Sequence, residues 1–234
     1  MKTVVLAGGM GTRLRNTLGE MPKPMAPIGG KPFLEHLLAL LAARGMSEFV
    51  FCIGYGGEKI QEHFAGGDRF GVSIRYSTET RLLGTAGAIK LAEPLIDSED
   101  FFVVNGDTYL EANPLALLRL HRICGAMATV ALVRKENTGR YGRVTVGGEN
   151  DIRTFEEKSG EGKSGLINGG LYVFRKEIFG DLPGERPCSL EREILPLLIG
   201  NGLYGVPVDG YFLDIGTRED YEKARRELPL RGKP

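Results

Sequence analysis

The strongest constraint on the fold is an alternation of short, β-branched apolar runs with amphipathic stretches through the first half of the chain. Strands are predicted at residues 3–7, 49–53, 73–77 and 101–105. Helices are predicted at residues 32–43, 58–64, 85–92 and 114–124. Because strands that alternate with helices form a mostly parallel sheet with helices on both faces, we predict an α/β fold.

From Ala126 the pattern changes, since strand-like segments follow one another with few helical intervals. These segments cover residues 128–133, 143–146, 151–156 and 166–174, and helices are predicted again at 190–199 and 219–227. Thr217 precedes the last helix and Asp220 follows three residues later, a spacing typical of a helix N-terminus. This half is predicted to add antiparallel strands to the sheet and a lid over its edge.

The charge balance excludes several classes of function. Thirty lysines and arginines balance thirty aspartates and glutamates, so the chain lacks the global basic field that sequence-independent nucleic-acid binding requires. No segment approaches the roughly 18 apolar residues of a membrane span, and the N-terminal apolar run is too short for a signal peptide. We therefore expect a soluble, cytoplasmic protein with no nucleic-acid or membrane partner.

The cysteines and histidines do not suggest a metal centre. Cys52, Cys124 and Cys188 lie far apart without CxxC spacing, and we interpret them as reduced structural thiols. The three histidines lie on predicted helices and are interpreted as ordinary helix-surface residues: His36, His63 and His121.

A glycine-rich loop follows the first predicted strand, with the sequence GGMGTR at residues 8–13. The dinucleotide-binding pattern GxGxxG requires glycine at position 14, where Leu14 stands, and the P-loop requires a final Gly-Lys-Ser or Gly-Lys-Thr. The loop matches neither. It still allows backbone N–H groups to approach a phosphate or a base edge without interference from Cβ atoms.

The loop and the motifs after it resemble a known family. LAGGxGTR at residues 6–13, followed by Pro22-Lys23-Pro24, is similar to the signature of the sugar-1-phosphate nucleotidylyltransferases. Further matches follow in the same order: LGTAG at 83–87, NGD at 105–107, Glu157-Lys158, NGG at 168–170 and DIGT at 214–217. The resemblance covers nearly the whole chain and is closest to the branch of the heptose 1-phosphate guanylyltransferases.

The resemblance implies the Rossmann-like nucleotide-diphospho-sugar transferase fold, with an added antiparallel sugar-binding part. A single nucleotidyltransferase domain would cover residues 1–234, with 1–125 mainly binding the nucleotide and 126–234 mainly binding the sugar phosphate. The implied reaction is attack by a sugar 1-phosphate oxygen on the α-phosphorus of a nucleoside triphosphate, which releases pyrophosphate. Whether copies of the chain associate into a homo-oligomer is left open.

Two cations are the implied catalytic residues. Arg13 would hold the β and γ phosphates and the departing pyrophosphate, because its guanidinium fork suits a group with several oxygens. Lys23 would neutralise the α-phosphoryl oxygens as the transition state forms. Lys23 is expected to lie in an exposed loop that Pro22 and Pro24 restrict.

Two aspartates are candidates for a metal site. Asp107 follows the apolar run at 101–105, and Asp214 follows a short strand-like segment at 211–213. Open α/β sheets bind ligands at the carboxyl ends of their strands, and a pair of carboxylates provides the hard oxygen ligands that suit Mg²⁺. The resemblance implies the same two metal ligands and Mg²⁺ as cofactor.

The resemblance also implies the residues that bind each substrate. Those for the nucleotide are Leu6, Ala7, Gly8, Gly9, Gly11, Thr12, Glu79, Gly84 and Thr85. Those for the sugar phosphate are Asn105, Gly142, Glu157, Lys158, Asn168 and Gly169. Glu79 stands where the family places a base-reading side chain, and an ionised carboxylate accepts both the N1–H and the 2-amino group of guanine. This favours GTP as the nucleotide. The resemblance to the heptose branch implies D-glycero-α-D-manno-heptose 1-phosphate as the sugar.

Three other functions remain open at this point. The same reaction could use UTP or dTTP with a hexose 1-phosphate, and a non-catalytic nucleotide-sugar sensor could retain the fold. The presence of all the implied charged residues argues against the sensor. A dinucleotide oxidoreductase is disfavoured by the absence of the third glycine.

Overall fold

The computed structural model describes residues 1–9, 11, 14–156, 162–184 and 186–231. Its first strands are β1 (Thr3–Leu6), β2 (Pro27–Ile28), β3 (Lys31–Pro32), β4 (Glu48–Ile53), β5 (Ser73–Thr78), β6 (Asp100–Asn105) and β7 (Thr108–Leu110). The later strands are β8 (Ala128–Lys135), β9 (Arg143–Val146), β10 (Ile152–Glu156), β11 (Gly165–Arg175), β12 (Leu203–Val208) and β13 (Phe212–Asp214). The α-helices are α1 (Arg15–Leu18), α2 (Phe33–Ala43), α3 (Gly57–Phe64), α4 (Gly84–Leu91), α5 (Pro114–Ile123), α6 (Leu195–Leu197) and α7 (Arg218–Arg231).

Within the described residues, nine strands form one mixed sheet. In its first half, β5, β4, β1 and β6 lie side by side and all pair in parallel. The long strand β11 pairs antiparallel with β6 and joins them to the second half, where β8 and β9 also pair antiparallel with it. The predicted α/β fold with an added antiparallel part is therefore confirmed.

Alternate residues of the central strands point to opposite faces of the sheet and enter two different clusters. On β1, Val4 packs with the cluster that includes α4, while Val5 packs with the cluster that includes α2, α3 and α5. A third cluster holds α7 against the short β7–β13 sheet, through residues such as Tyr221 and Leu228. The helices thus cover both faces and leave the carboxyl ends of the parallel strands accessible.

Two helix ends have ordinary capping residues, and the predicted helix start at Thr217 is confirmed. Gly45, just after α2, has a left-handed φ of 85°, as expected for a residue that ends a helix. Thr217 and Asp220 bond to each other at the start of α7: the Thr217 hydroxyl donates to Asp220 Oδ2 at 2.6 Å and accepts from the Asp220 backbone N–H at 3.2 Å.

The prediction of one continuous helix over residues 190–199 is wrong. The chain forms a π-helix at Leu190–Ile194 and then the short α6 at Leu195–Leu197. Pro196 lacks the N–H that a continuous α-helix requires at this position. Strand β12 was not predicted from the sequence, and its Pro207 is typical of a strand at the edge of a sheet.

None of the helices in the described part of the chain is long and apolar enough to cross a membrane.

Candidate active site

A cavity of about 310 Å³ opens where the parallel strands end. Backbone and small side chains form most of its wall, and its lining includes the following residues: Leu6, Ala7, Gly8, Gly9, Gly11, Lys23, Pro24, Cys52, Glu79, Leu82, Gly84, Thr85, Ala88, Asn105 and Asp107. We call it the nucleotide cavity, because it collects every residue predicted for nucleotide binding except Thr12, which lies outside the described residues.

Glu79 lies at the base of this cavity beside two glycines. A Cβ atom added to Gly8 would lie 2.8 Å from Glu79 Oε1, and one added to Gly54 would lie 2.6 Å from it. The Leu83 backbone N–H donates to Glu79 Oε2 at 3.0 Å and fixes the carboxylate. Burial raises the pKa of Glu79, and the hydrogen bond from Leu83 acts in the opposite direction. The glycines therefore make room for one partly buried carboxylate that faces the cavity.

Gly84 and Thr85 begin α4 and also line this cavity. Gly84 has a φ of 71°, and a Cβ atom there would lie 2.5 Å from the carbonyl oxygen of Cys188, so only glycine fits. The Thr85 hydroxyl donates to Glu191 Oε2 at 2.9 Å and accepts from the Leu190 backbone N–H at 2.7 Å. Its side chain therefore ties α4 to the π-helix while lining the cavity.

Lys23 is buried, with 8% of its surface exposed, which corrects the expectation of an exposed loop. It begins a 3₁₀ turn at Lys23–Met25, and its Nζ lies 3.1 Å from Asp107 Oδ2. The aliphatic part of its side chain packs close to Gly11, where an added Cβ would lie 2.9 Å from Lys23 Cγ. Lys23 is buried because it has an ionic partner that the sequence does not reveal.

A second cavity of about 500 Å³ adjoins the first and shares Asn105 and Asp107 with it. Its lining includes the following residues: Asn105, Asp107, Thr108, Tyr141, Gly142, Phe155, Asn168, Gly170, Ser189, Glu191, Arg192, Pro196, Phe212 and Asp214. We call it the sugar cavity, because Asn105, Gly142 and Asn168, all predicted to bind the sugar phosphate, line it. Gly169, predicted with them, is not among the lining residues; a Cβ there would lie 2.8 Å from the Ala131 carbonyl oxygen.

The two candidate metal ligands come together through the short β7–β13 sheet. Asp214 pairs in register with Thr108, the residue after Asp107, and the Ile215 backbone N–H donates to the Asp107 carbonyl oxygen at 3.1 Å. Both aspartates line the sugar cavity. The described residues contain no cluster of three or more histidine, cysteine, aspartate or glutamate side chains that could hold a metal. The carboxylate pair suits a hard cation that completes its coordination with phosphate oxygens and water.

A buried polar network runs from one cavity to the other. Asn168 Nδ2 donates to the Tyr172 hydroxyl at 2.8 Å, and its Oδ1 accepts from the Gly170 backbone N–H at 2.9 Å. The Tyr172 hydroxyl in turn donates to Glu191 Oε1 at 3.4 Å, and Glu191 also accepts from Thr85. Glu191 and its neighbour Arg192 were not predicted as site residues, because two charged residues after Leu190 are typical of an exposed turn of helix.

Several predictions lie outside the described residues: Thr12, Arg13, Glu157 and Lys158. The histidine interpretation is wrong for His121, which is fully buried, with its Nδ1 3.0 Å from Thr129 Oγ1. His36 and His63 are half-buried and lie at hydrogen-bond distance from the Ile28 carbonyl and the Glu35 carboxylate. Their positions leave the carboxylate pair as the candidate metal site.

Known proteins resemble this chain over nearly its full length. The chain is 38% identical over 230 residues to the D-glycero-α-D-manno-heptose 1-phosphate guanylyltransferase of Aneurinibacillus thermoaerophilus, covering 97% of this chain and 98% of that protein. It is 36% identical to a mannose-1-phosphate guanylyltransferase of Mycobacterium tuberculosis, covering 96% of this chain but 64% of that longer protein. The crystal structure of HddC from Yersinia pseudotuberculosis complexed with GMP-PN superposes with a TM-score of 0.85 at 32% identity, covering 97% and 99% of the two chains.

The family model described as nucleotidyl transferase matches residues 2–229, a range that includes the parallel strands, both cavities and the carboxylate pair. Because this model matches nearly the whole chain and a heptose 1-phosphate guanylyltransferase is 38% identical over nearly its full length, the chain belongs to the nucleotidyl transferase family.

Proposed function

We propose that the chain joins GTP and D-glycero-α-D-manno-heptose 1-phosphate to give GDP-heptose and pyrophosphate. The observation that carries this proposal is the meeting of two cavities at Asn105 and Asp107. Two polyanionic substrates held there would have their reacting phosphates adjacent, which is the arrangement that direct transfer requires. The heptose follows the name of a relative that matches along nearly its full length.

Lys23 is the proposed cation for the α-phosphate. It lines the nucleotide cavity and is paired with Asp107, a carboxylate that lines both cavities. When the triphosphate binds, an α-phosphoryl oxygen offers Lys23 a second anionic partner, and the positive charge can offset the charge that develops during transfer. Arg13 remains the proposed partner of the departing pyrophosphate.

Mg²⁺ is the proposed cofactor, held by Asp107 and Asp214. Their oxygens fit this ion, because Mg²⁺ is bound in proteins by one or two carboxylates together with substrate phosphates and water. When bound, the ion would supply positive charge to the phosphate oxygens of both substrates. Since Lys23 already pairs with Asp107, metal binding and lysine pairing share one carboxylate.

Glu79 is proposed to select guanine. Its carboxylate lines the nucleotide cavity, and guanine presents two adjacent donors to it, whereas thymine and uracil present one imide N–H between two acceptors. Replacing Glu79→Gln should lower the preference for GTP over dTTP by roughly tenfold, because one of the two donors then meets an amide donor. A preference that does not change would remove Glu79 from base selection.

The function is tested by incubating the purified protein with Mg²⁺, each nucleoside triphosphate and a panel of sugar 1-phosphates, and measuring pyrophosphate. We expect the highest kcat/KM with GTP and the heptose 1-phosphate. Release with dTTP but not with GTP would overturn the guanylyl assignment. Absence of pyrophosphate with every pair would overturn the enzymatic function.

A further inference from the structure

One wall of the sugar cavity is formed by the loop at residues 136–142, which joins β8 to β9. Tyr141 and Gly142 of this loop line the cavity, and the ring of Tyr141 meets the ring of Phe212 edge-on at 5.9 Å between centroids. Within the loop, the Tyr141 backbone N–H donates to the Thr138 carbonyl at 2.7 Å. A ligand in the sugar cavity would therefore contact a surface whose shape depends on how this loop is held.

Arg140 connects the loop to α7. Its guanidinium pairs with the carboxylate of Asp220 and lies 5.6 Å from the centre of the Tyr141 ring. Asp220 is itself fixed, because its Oδ2 also accepts the Thr217 hydroxyl and its backbone N–H bonds back to the same hydroxyl. The Asp220 side chain is 21% exposed and that of Arg140 is 47% exposed, so only the carboxylate side of the pair is shielded from solvent.

Through α7, the Arg140–Asp220 pair is also linked to the candidate metal site. Thr217 stands three residues after Asp214, and α7 packs against β13, which carries Asp214. The pKa of Arg140 is raised above its usual range, first by the hydrogen bond to Asp220, against an opposing effect of burial, and to a smaller extent by the charge of Asp214. Arg140 therefore lies within electrostatic reach of both acidic residues.

We propose that Arg140 and Asp220 are positioning residues that hold the Tyr141–Gly142 wall of the sugar cavity against α7 and the strand that carries Asp214. Held in this way, the cavity binds its sugar phosphate without first ordering the loop, and the loop keeps a fixed place relative to Asp214. This inference depends on the proposed function in one respect only, namely that the ligand of the sugar cavity is a sugar phosphate.

The first test is steady-state kinetics of Arg140→Gln, Asp220→Asn and the double variant, with each substrate varied in turn. Each single change should raise the KM for the sugar 1-phosphate by roughly fivefold, the effect of losing a partly exposed ion pair, with the KM for GTP and kcat changed less than about twofold. The double variant should be no worse than the more affected single variant, because both changes break one interaction. Equal increases in both KM values, or additive effects, would overturn the proposal.

The matched control is Glu222→Gln, which removes the exposed Arg225–Glu222 pair on the same helix. It should leave both KM values unchanged, since this pair does not contact the loop. If it reproduces the effect of Asp220→Asn, the effect reflects α7 in general and not the Arg140 contact.

A second test needs no substrate and therefore does not depend on the proposed function. Amide hydrogen exchange in residues 138–142 should be faster in Arg140→Gln and Asp220→Asn than in the unaltered protein and in Glu222→Gln, because the loop opens more often without its ion pair. Unchanged exchange in this segment would show that the pair does not hold the loop and would overturn the proposal, whatever the kinetics.

Discussion

The two cavities differ in the groups that form their walls. Small residues and backbone dominate the nucleotide cavity, with glycines at positions 8, 9, 11 and 84. Larger side chains dominate the sugar cavity, including Tyr141, Phe155, Arg192 and Phe212. A triphosphate can therefore be recognised by backbone N–H groups that any sequence with the right glycines provides, whereas recognition of one sugar depends on individual side chains. It follows that added volume should damage the first cavity, and lost functional groups should damage the second.

The largest effect on activity is expected from a substitution where the two cavities meet. Lys23→Met removes the cation next to Asp107 and should lower kcat by about 10²- to 10³-fold, the typical cost of removing one group that stabilises developing charge. Pyrophosphate release at saturating substrates measures this change. A kcat within about threefold of the original would remove Lys23 from the transition state.

The chain offers a closely matched control for this variant. The Lys2 side chain is 10% exposed, like that of Lys23, and pairs with Glu48 and Asp97 at the opposite end of the sheet. Lys2→Met removes an equally buried, paired lysine, so any loss of stability should be similar, while kcat should not change. Thermal unfolding of both variants separates lost folding from lost catalysis.

The next effect tests the volume argument in the nucleotide cavity. Gly8→Ala places a methyl group 2.8 Å from Glu79 Oε1 and 3.2 Å from the Gly54 backbone nitrogen, so the carboxylate must move. We expect the KM for GTP to rise roughly 10- to 100-fold, with a much smaller change in the KM for the sugar phosphate. Gly180→Ala is the control, because a Cβ there meets nothing within 4 Å. A KM for GTP that stays unchanged in Gly8→Ala would contradict the tight fit around Glu79.

In the sugar cavity, removal of a functional group should matter more than added volume. Asn168→Ala leaves the Gly170 N–H without its acceptor and removes a donor to Tyr172, so the KM for the sugar phosphate should rise roughly tenfold. The KM for GTP should change little. Asn201→Ala, which removes an exposed amide outside both cavities, is the control. A larger effect on GTP than on the sugar phosphate would contradict the division between the cavities.

The smallest effect on turnover is expected far from both cavities, at His121. Burial lowers the pKa of His121 to about 4 from 6.5; the facing carboxylate of Asp100 acts in the opposite direction, and Arg175 and Arg122 add to the lowering. The unfolded chain therefore binds a proton below about pH 6.5 that the folded chain does not accept until about pH 4. The free energy of unfolding should fall by about 2 kcal/mol between pH 7 and pH 5 through this residue.

Urea unfolding at the two pH values measures this loss, and comparison with His121→Gln isolates it. The variant should lose less stability on acidification, while its kcat at neutral pH stays unchanged. Equal losses in both proteins would show that His121 is not the responsible group.

The sequence predicts the parallel half of the fold well and the contacts across it poorly. The central strands follow from local patterns such as FVFCI and FFVVN, which remain apolar because both sheet faces are covered. In contrast, the Lys23–Asp107 pair joins residues 84 positions apart, and no local pattern reveals it. The contacts of Glu191 are also hidden from local patterns, because its partners Thr85 and Tyr172 come from other elements.

Some of the missed features did leave a signal in the sequence. Leu117, Leu118 and His121 have the spacing of one buried helix face, so the burial of His121 could have been inferred from its neighbours. Pro196 indicated that the helix at 190–199 would be interrupted.

The central claim is that an oxygen of the sugar phosphate attacks the α-phosphorus of GTP beside Asp107, and isotope labelling tests it most directly. The heptose 1-phosphate is prepared with ¹⁸O in its phosphate and incubated with unlabelled GTP and Mg²⁺, and both products are analysed by mass spectrometry. We predict that GDP-heptose carries all of the label and that pyrophosphate carries none, because a sugar-phosphate oxygen attacks the α-phosphorus. Label in pyrophosphate, or no GDP-heptose at all, would contradict the account.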